Sequence, residues 1–289
     1  MFPISPLRYP GGKARLASTI AAIMKSAGFG DDAVFVEPFA GGAGAGLTLL
    51  FQNRVKTLVL NDFDNAVAAF WTAILNETER FVDAIRTVPL DLDERERQAR
   101  IYAERSTRLS FELGFAFFYL NRTSRAGIAT AGPIGGWSQS GRWKLDDRFN
   151  RETASRRVLA IAEKRRQIRV YCDDATSFVE RRLPKFRRDK TFVYFDPPYF
   201  RQGARLYRQA FDKADHRRLR DAIFQNVTSP WLVSYDDAEE IRKIYDSASS
   251  TLIDVGYSAA KKRVERERLF FSPDLTTVLE SIKEKKPAR

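Results

Sequence analysis

Apolar residues along this chain gather into short, dense runs that end in acids or in acid-containing turns. The segments are "AVFVEPF" (33–39), "VKTLVLND" (55–62), "QIRVYCDD" (167–174), "TFVYFDPPY" (191–199) and "SPWLVSYDD" (229–237). Runs of this kind, with little polar alternation, predict buried strands. Between them the spacing changes. "AGLTLLFQN" (45–53) and a longer stretch from Asn65 to Arg86 carry apolar residues at helical intervals, and so predict helices. Strands alternating with helices predict an α/β fold with a doubly wound, mostly parallel sheet, which binds ligands beyond the carboxyl ends of its strands. The acids therefore stand where function is expected.

The rhythm breaks between Leu90 and Ala162, a block that is first charged, then aromatic, then rich in Gly and Ser around "TAGPIGGWSQSGRW" (130–143). An insertion of this length predicts a small helical domain with a functional loop rather than a disordered linker. The expected division is a core at 1–75 and 163–289 with an inserted domain at 76–162. No internal repeat is present, and the basic tail "KEKKPAR" is expected to fray.

Composition adds a partner. The net charge of +12 and the 44% hydrophobic content of the 289 residues describe a folded, strongly basic protein that suits a polyanion, nucleic acid first and an anionic membrane surface second. One Cys and one His exclude an intrachain disulfide and a usual zinc site, so an intracellular, metal-free protein is expected. No apolar run approaches the roughly 20 residues that span a bilayer, and "MFPISPLRYPGGK" lacks the charged-then-apolar order of a signal peptide. The expected location is the cytoplasm, with no membrane partner.

The first candidate chemistry is a glycine loop. "FVEPFAGGAGAGLTLL" is a strand, a turn containing Gly41, Gly42, Gly44 and Gly46, and a helix. Glycines there allow a sharp turn and a close ligand approach at the helix N-terminus. Asp62, about twenty residues on at the end of the next strand, stands where a carboxylate accepts from ribose hydroxyls. The pair points to a nucleoside ligand, with a merely tight turn as the alternative. The phosphate-loop Lys and Ser/Thr are absent, since Leu47 and Thr48 follow Gly46.

The second is "DPPY" at 196–199. An exocyclic amine on a nucleobase is a poor nucleophile because its lone pair is delocalised. The Asp196 carboxylate and Pro197 carbonyl, aimed at the amine hydrogens, would orient that lone pair towards an electrophile. Pro197 and Pro198 fix φ and withhold N–H donors, keeping the loop rigid. Tyr199 offers a face for an unstacked base, a contact worth about 1–3 kcal/mol. The alternative is a strand-ending turn whose Asp caps a helix.

Four ordered segments, "RYPGGK" (8–13), "FVEPFAGGAGAG" (35–46), "FFYLNRTSRAGI" (117–128) and "DPPYF" (196–200), together resemble the Dam-type family of S-adenosylmethionine-dependent DNA adenine-N6 methyltransferases. The resemblance covers most of the chain. It implies a Rossmann-like class I methyltransferase core with an inserted helical target-recognition domain. It implies Asp196, Pro197, Pro198 and Tyr199 as the catalytic motif. It also implies Tyr9, Gly12, Lys13, Glu37, Phe39, Gly41, Gly42, Asp62, Asp174 and Asp196 as residues of the cofactor site. Lys13 would meet either the methionine carboxylate or the target base. Asp174, in "YCDDA", resembles the acid that meets the cofactor's adenine, with a helix N-cap as the other reading. Asp at the start of the DPPY motif favours adenine over cytosine, where the family pattern more often has Ser or Thr.

Asn121, Arg122 and Thr123 resemble an Asn-Arg-Thr element that braces the catalytic loop or touches DNA. The segment after it departs from the GATC-reading members, so the target sequence stays open. There Trp137, Gln139, Arg142, Trp143 and Lys144 offer base-edge donors and stacking faces. Tyr207 and Phe211 belong to a loop that closes on the base in the family. His216 reads as a structural or helix-capping residue rather than a catalyst. Basic runs such as "ERRLPKFRRDK" and "SAAKKRVERER" divide between solvated faces and phosphate contacts. The expected activity is site-specific adenine-N6 methylation of double-stranded DNA in a prokaryotic or phage setting, in which a restriction or defence partner has a place. RNA adenine, cytosine N4 and a non-catalytic DNA-binding protein of the same fold are the alternatives.

Overall fold

In the computed structural model the apolar runs become strands, and two further strands follow them: β1 (Val34–Glu37), β2 (Thr57–Asn61), β3 (Ile168–Tyr171), β4 (Thr191–Phe195), β5 (Trp231–Asp236), β6 (Ser249–Ala259) and β7 (Lys261–Phe271). The helices are α1 (Ala17–Ser26), α2 (Gly44–Phe51), α3 (Asn65–Asn76), α4 (Thr78–Thr87), α5 (Leu92–Glu104), α6 (Phe111–Thr123), α7 (Arg151–Glu163), α8 (Ala175–Arg181), α9 (Lys213–Asn226) and α10 (Glu239–Ile244). The structure describes residues 4–8, 13–104, 108–200, 211–259 and 261–279. They fall into two units, a larger one of Lys13–Ala40, Ala45–Asn61 and Asp173–Arg289, and a smaller one of Met1–Gly12, Gly41–Gly44 and Asp62–Cys172.

Within the larger unit the strands run β2-β1-β4-β5-β7-β6. β2, β1, β4 and β5 are parallel, while β7 is antiparallel to both of its neighbours. All five residues of β4 are buried, as are the first five of β5, which is why these strands read as unbroken apolar runs. Helices flank the sheet, and the arrangement is the Rossmann-like, mostly parallel core expected from the sequence. Val36 pairs with Val193 and Phe195 with Val233, so the residues that follow these strands emerge along one edge.

Three expectations change. The helix read from Asn65 to Arg86 is two helices, broken at Glu77 (φ −125°, ψ 41°). Thr78 then donates its hydroxyl to the Ile74 carbonyl at 2.8 Å and closes the end of α3. Neither Gly nor Pro marks the break. The β6–β7 hairpin also lies under the charged run "KKRVERER" (261–268), which read only as a basic surface. Of the strands read as buried, β3 buries Ile168 alone.

The smaller unit contains the whole of the block read as an insertion, 76–162, and also α3 and β3. Its centre is aromatic. Phe70 of α3 meets Trp71, Phe81, Phe117 and Phe118 with ring centroids 5.0–6.3 Å apart. α6 is buried on nearly every side, as expected of a helix that is apolar all round. Asp64, Ser110 and Asn150 cap α3, α6 and α7 through their side chains, satisfying amide groups that the helices leave open. None of the helices among the described residues is long and apolar enough to cross a membrane.

α6 approaches α3 at Gly114, where a Cβ would stand 2.6 Å from the Ala69 carbonyl oxygen. Gly114→Ala should therefore destabilise the protein by roughly 1–3 kcal/mol through overpacking, although alanine is the better helix former. Denaturant unfolding monitored by tryptophan fluorescence would show it, and an unchanged or raised midpoint would refute the close-packing account.

Candidate active site

The residues after β4 meet a buried ion cluster in the larger unit. Lys13 opens a 3-10 turn ahead of α1 and is 5% exposed; its Nζ lies 2.7 Å from Glu267 Oε1 and 3.4 Å from Asp196 Oδ1. The same ammonium donates to the Tyr199 hydroxyl and lies 4.6 Å from the Tyr199 ring centre. Tyr199 donates to Glu267 Oε1 at 2.6 Å. On the other side, Ser234 of β5 donates to Asp196 Oδ1 at 3.0 Å and is itself tied to the Tyr194 hydroxyl at 2.8 Å. Pro197 and Pro198 are buried. Asp236 accepts from the Phe200 amide at 3.0 Å and holds the far end of the motif. Burial pushes the Asp196 carboxyl up to about 6; Lys13 and the Ser234 hydroxyl favour its charged form, while Glu267 opposes it.

The glycine loop builds a second feature of this unit. Glu37 ends β1, is 4% exposed and accepts from the Gly46 amide at 3.3 Å. Its Oε2 is buried and accepts no hydrogen bond among the described residues. A Cβ on Gly46 would come within 2.4 Å of Leu58 Cδ1 and 2.7 Å of that oxygen. Glycine is thus required here by space rather than by φ. Desolvation pushes the Glu37 carboxyl up to about 8, against the Gly46 amide, which draws it down. Phe39 packs edge-on against Phe211 at 5.7 Å. Asp174 accepts from the Ser177 amide at 3.1 Å and is the N-cap of α8. His216 lies inside α9, fully buried, with Nδ1 2.8 Å from the Tyr235 hydroxyl. It is a packing residue, while Asp212 is the cap.

The smaller unit holds Asp62 and Gly41. Asp62 Oδ2 accepts from the Gly41 amide at 2.8 Å and Oδ1 from the Asp64 amide at 2.9 Å. Trp71 donates its indole N–H to the Gly41 carbonyl at 3.0 Å. Both backbone polar groups of Gly41 are thereby fixed, with φ 43° at Gly41, a value that suits glycine. Burial and the neighbouring Asp64 push the Asp62 carboxyl up to about 7. Gly42 is buried in the same loop.

The residues read as DNA contacts divide. Asn121 is fully buried and spends its amide on the Arg8 amide (2.8 Å), the Arg8 carbonyl (2.8 Å) and the Gly127 carbonyl (2.7 Å), the contacts of a brace. Arg122 reaches the Pro6 carbonyl at 3.5 Å. Gln139 donates to the Ile134 and Gly136 carbonyls and accepts from the Leu145 amide, while Lys144 donates to the Gln139 carbonyl. These two staple their own loop. Trp137 and Trp143 are 64% and 54% exposed, and Arg142 lies 5.1 Å from the Trp143 ring. Tyr9, Gly12 and Tyr207 lie outside the described residues.

Residues 9–259 match the family described as D12 class N6 adenine-specific DNA methyltransferase. The chain belongs to that family. It is accordingly an adenine-specific DNA methyltransferase. It is similar to the Type II methyltransferase M.MjaIII of Methanocaldococcus jannaschii, 23% identical over 67% of this chain and 68% of that protein. It is also similar to the Type II methyltransferase M.CviBI of Paramecium bursaria Chlorella virus NC1A, 25% identical over 75% of this chain and 78% of that protein. Among solved structures it is similar to the rRNA methyltransferase aviRa of Streptomyces viridochromogenes, with 12% identity, a TM-score of 0.42, and 93% of this chain and 89% of that one covered.

Three residues of the site escape a reading of motifs. Glu267 has a faint signal, since it alternates with the buried Leu269 and Phe271 and so is an acid on a core-facing register. Ser234 stands in an apolar strand run. Asn61, fully buried, donates to the Pro38 and Asp173 carbonyls and accepts from the Asp173 amide, yet it reads only as a strand end.

Glu37 supplies a direct check. Its carboxyl has a usual value of 4.5 and is raised to about 8 when folded, so the folded chain binds more protons than the unfolded chain between these values. Stability then falls as pH rises through that window, by at most about 1.4 kcal/mol per pH unit. Glu37→Gln keeps an acceptor for the Gly46 amide and removes the titration. Unfolding midpoints of parent and variant, measured between about pH 5 and 8, should diverge with the variant gaining as pH rises, and parallel curves would count against the buried, protonated Glu37.

Proposed function

We propose that the protein is a site-specific, S-adenosylmethionine-dependent methyltransferase acting on N6 of an adenine flipped out of double-stranded DNA, arranged as in the Dam-type members of its class. The observation that carries the reading is Asp196, seated after β4 between the Ser234 hydroxyl and the Lys13 ammonium and still 24% exposed. A carboxylate so held can accept from an amine brought to it. Pro197 offers a carbonyl from a donor-free turn, and Tyr199 offers a ring fixed at its hydroxyl by Lys13 and Glu267. Loss of base stacking in the duplex is offset in part by stacking on that ring.

The chain's donor set fits the cofactor. Glu37 keeps a buried oxygen without a partner among the described residues, suited to an ammonium or hydroxyl donor. Asp62 is a half-buried carboxylate at the second strand's end, suited to ribose hydroxyls. Phe39, Gly41, Gly42 and Asp174 complete the reading, with Tyr9, Gly12 and Lys13 from the "RYPGGK" segment. S-adenosylmethionine, when bound, supplies a methyl group activated by its sulfonium. Asp196 and the Pro197 carbonyl hold N6 with its lone pair directed at that methyl group, and the amine's proton leaves after transfer, with Asp196 near enough in acidity to receive it. Positioning of this kind supplies roughly 7–11 kcal/mol in well-oriented reactions. Arg122, Trp137, Arg142 and Trp143 serve the DNA side, while Asn121, Gln139 and Lys144 hold the segments that carry them. The Type II description of both relatives makes a paired restriction enzyme part of the proposal, and DNA in the cytoplasm its site of action.

Asp196→Ala should lower transfer of labelled methyl groups to duplex DNA by roughly a thousandfold or more while calorimetry shows cofactor binding largely intact; near-parental transfer would overturn the role of Asp196. Mass spectrometry of nucleosides from the reacted DNA should find N6-methyladenine. In the parent, kcat/KM should fall as pH drops through about 6, since only the ionised carboxylate accepts from the amine. Ser234→Ala removes a hydrogen bond to the charged form, so its fall should begin at higher pH. Coincident profiles would exclude Asp196 as the titrating group.

A further inference from the structure

The smaller unit brings three arginines from separate stretches of chain onto the segment of residues 5–8, namely Arg8 itself, Arg122 at the end of α6 and Arg157 within α7, and the charge of Arg148, ahead of α7, acts on Arg8 and Arg122. Arg157 donates to the Ser5 carbonyl at 3.0 Å, Arg122 to the Pro6 carbonyl at 3.5 Å and Arg8 to the Ser124 carbonyl at 3.2 Å. These carbonyls orient the guanidinium groups but carry no net charge. Among the described residues none of the four forms an ion pair with a carboxylate. Arg122 Nε is buried without a hydrogen-bond partner, Arg8 and Arg157 are half-buried, and Arg148 is exposed, 5.6 Å from the ring of the exposed Trp143.

Gathering like charges away from water without a counter-charge is unfavourable. Burial first, then Arg8, Arg157 and Arg148, draw the Arg122 guanidinium down to about 10. An anion entering beside Arg148 would relieve that repulsion and supply the acceptors the cluster lacks. Guanidinium forks match the paired oxygens of a phosphate.

We propose that Arg8, Arg122, Arg148 and Arg157 form a seat for one backbone phosphate of the DNA substrate. The proposal rests on the reading of the chain as a DNA methyltransferase and adds to it a fixed anchoring point that positions the duplex without reading its sequence. Asn121 acts through this seat, because it holds the Arg8 backbone by both amide and carbonyl.

The test is binding of the full chain to a fluorescent duplex oligonucleotide, followed by anisotropy over a range of sodium chloride concentrations. Arg148→Gln and Arg157→Gln, both at accessible positions, should each weaken binding, and together by roughly tenfold or more at low salt. The double variant should also lower the slope of log K against log salt by about one. Arg157→Lys, which keeps the charge, should keep the slope, and unfolding curves of all variants confirm that they fold. Weaker binding with an unchanged slope would show that the arginines only brace the chain, and would overturn the seat. So would stabilisation of the parent by inorganic phosphate, matched for ionic strength, if the substitutions left DNA binding untouched, because the seat would then belong to a small phosphate. A parent that binds no duplex would overturn both this proposal and the DNA reading beneath it, whereas a parent that binds, with variants that match it in affinity and slope, would overturn the seat alone.

Discussion

The ammonium group of Lys13 governs the reactive edge of the larger unit. It stands 2.7 Å from Glu267 and 3.4 Å from Asp196, two carboxylates that could not share so dry a space without a cation between them. Each ion comes from a different part of the fold. The 3-10 turn before α1 brings Lys13, the end of β4 brings Asp196, and the antiparallel β7 brings Glu267. The pairing of Glu267 with Asp236 is therefore a chemical constraint as well as a packing one. A slip of one residue along β7 would place Arg266 or Arg268 beside Lys13, setting cation against cation where a carboxylate is needed.

The glycine loop obeys a different constraint, that of space and backbone direction. At Gly46 the absent Cβ leaves the Glu37 carboxylate its place. At Gly41 the residue is gripped through its backbone N–H by Asp62 and through its carbonyl by Trp71. Side chains thus prepare backbone, and backbone in turn prepares side chains, before any ligand arrives. The same economy shapes the 124–150 loop, where Gln139 and Lys144 spend their polar groups on the loop's own backbone and the tryptophans face water.

Much of this was legible in the residues. β1, β2, β4 and β5 declare themselves because a strand buried on both faces has no polar positions to blur the pattern, and acids at their ends mark the edge where ligands bind. The motif residues Asp196, Glu37 and Asp62 stand out by residue type and position. What escaped depends on partners distant in the chain. The α3–α4 break falls at Glu77, where neither Gly nor Pro marks it. The β6–β7 hairpin is hidden by alternating charges, and with it Glu267. Gln139 has the chemistry of a base reader, and only the three backbone groups around it show that its amide is already spent. Arg8, Arg122, Arg148 and Arg157 stand far apart in the sequence, so nothing in their spacing shows that their charges act on one another.

The contact between Lys13 and Glu267 joins positions 254 residues apart, nearly the whole chain. A polypeptide leaving the ribosome carries Lys13 and Tyr199 before the seventh strand emerges to supply Glu267 to both. Until that strand is in place, Lys13 and Tyr199 both lack the Glu267 carboxylate that they share in the folded protein. The order of synthesis thus sets the order of assembly: the first residue and the last of this ion cluster meet only after the strand that carries Glu267 has left the ribosome.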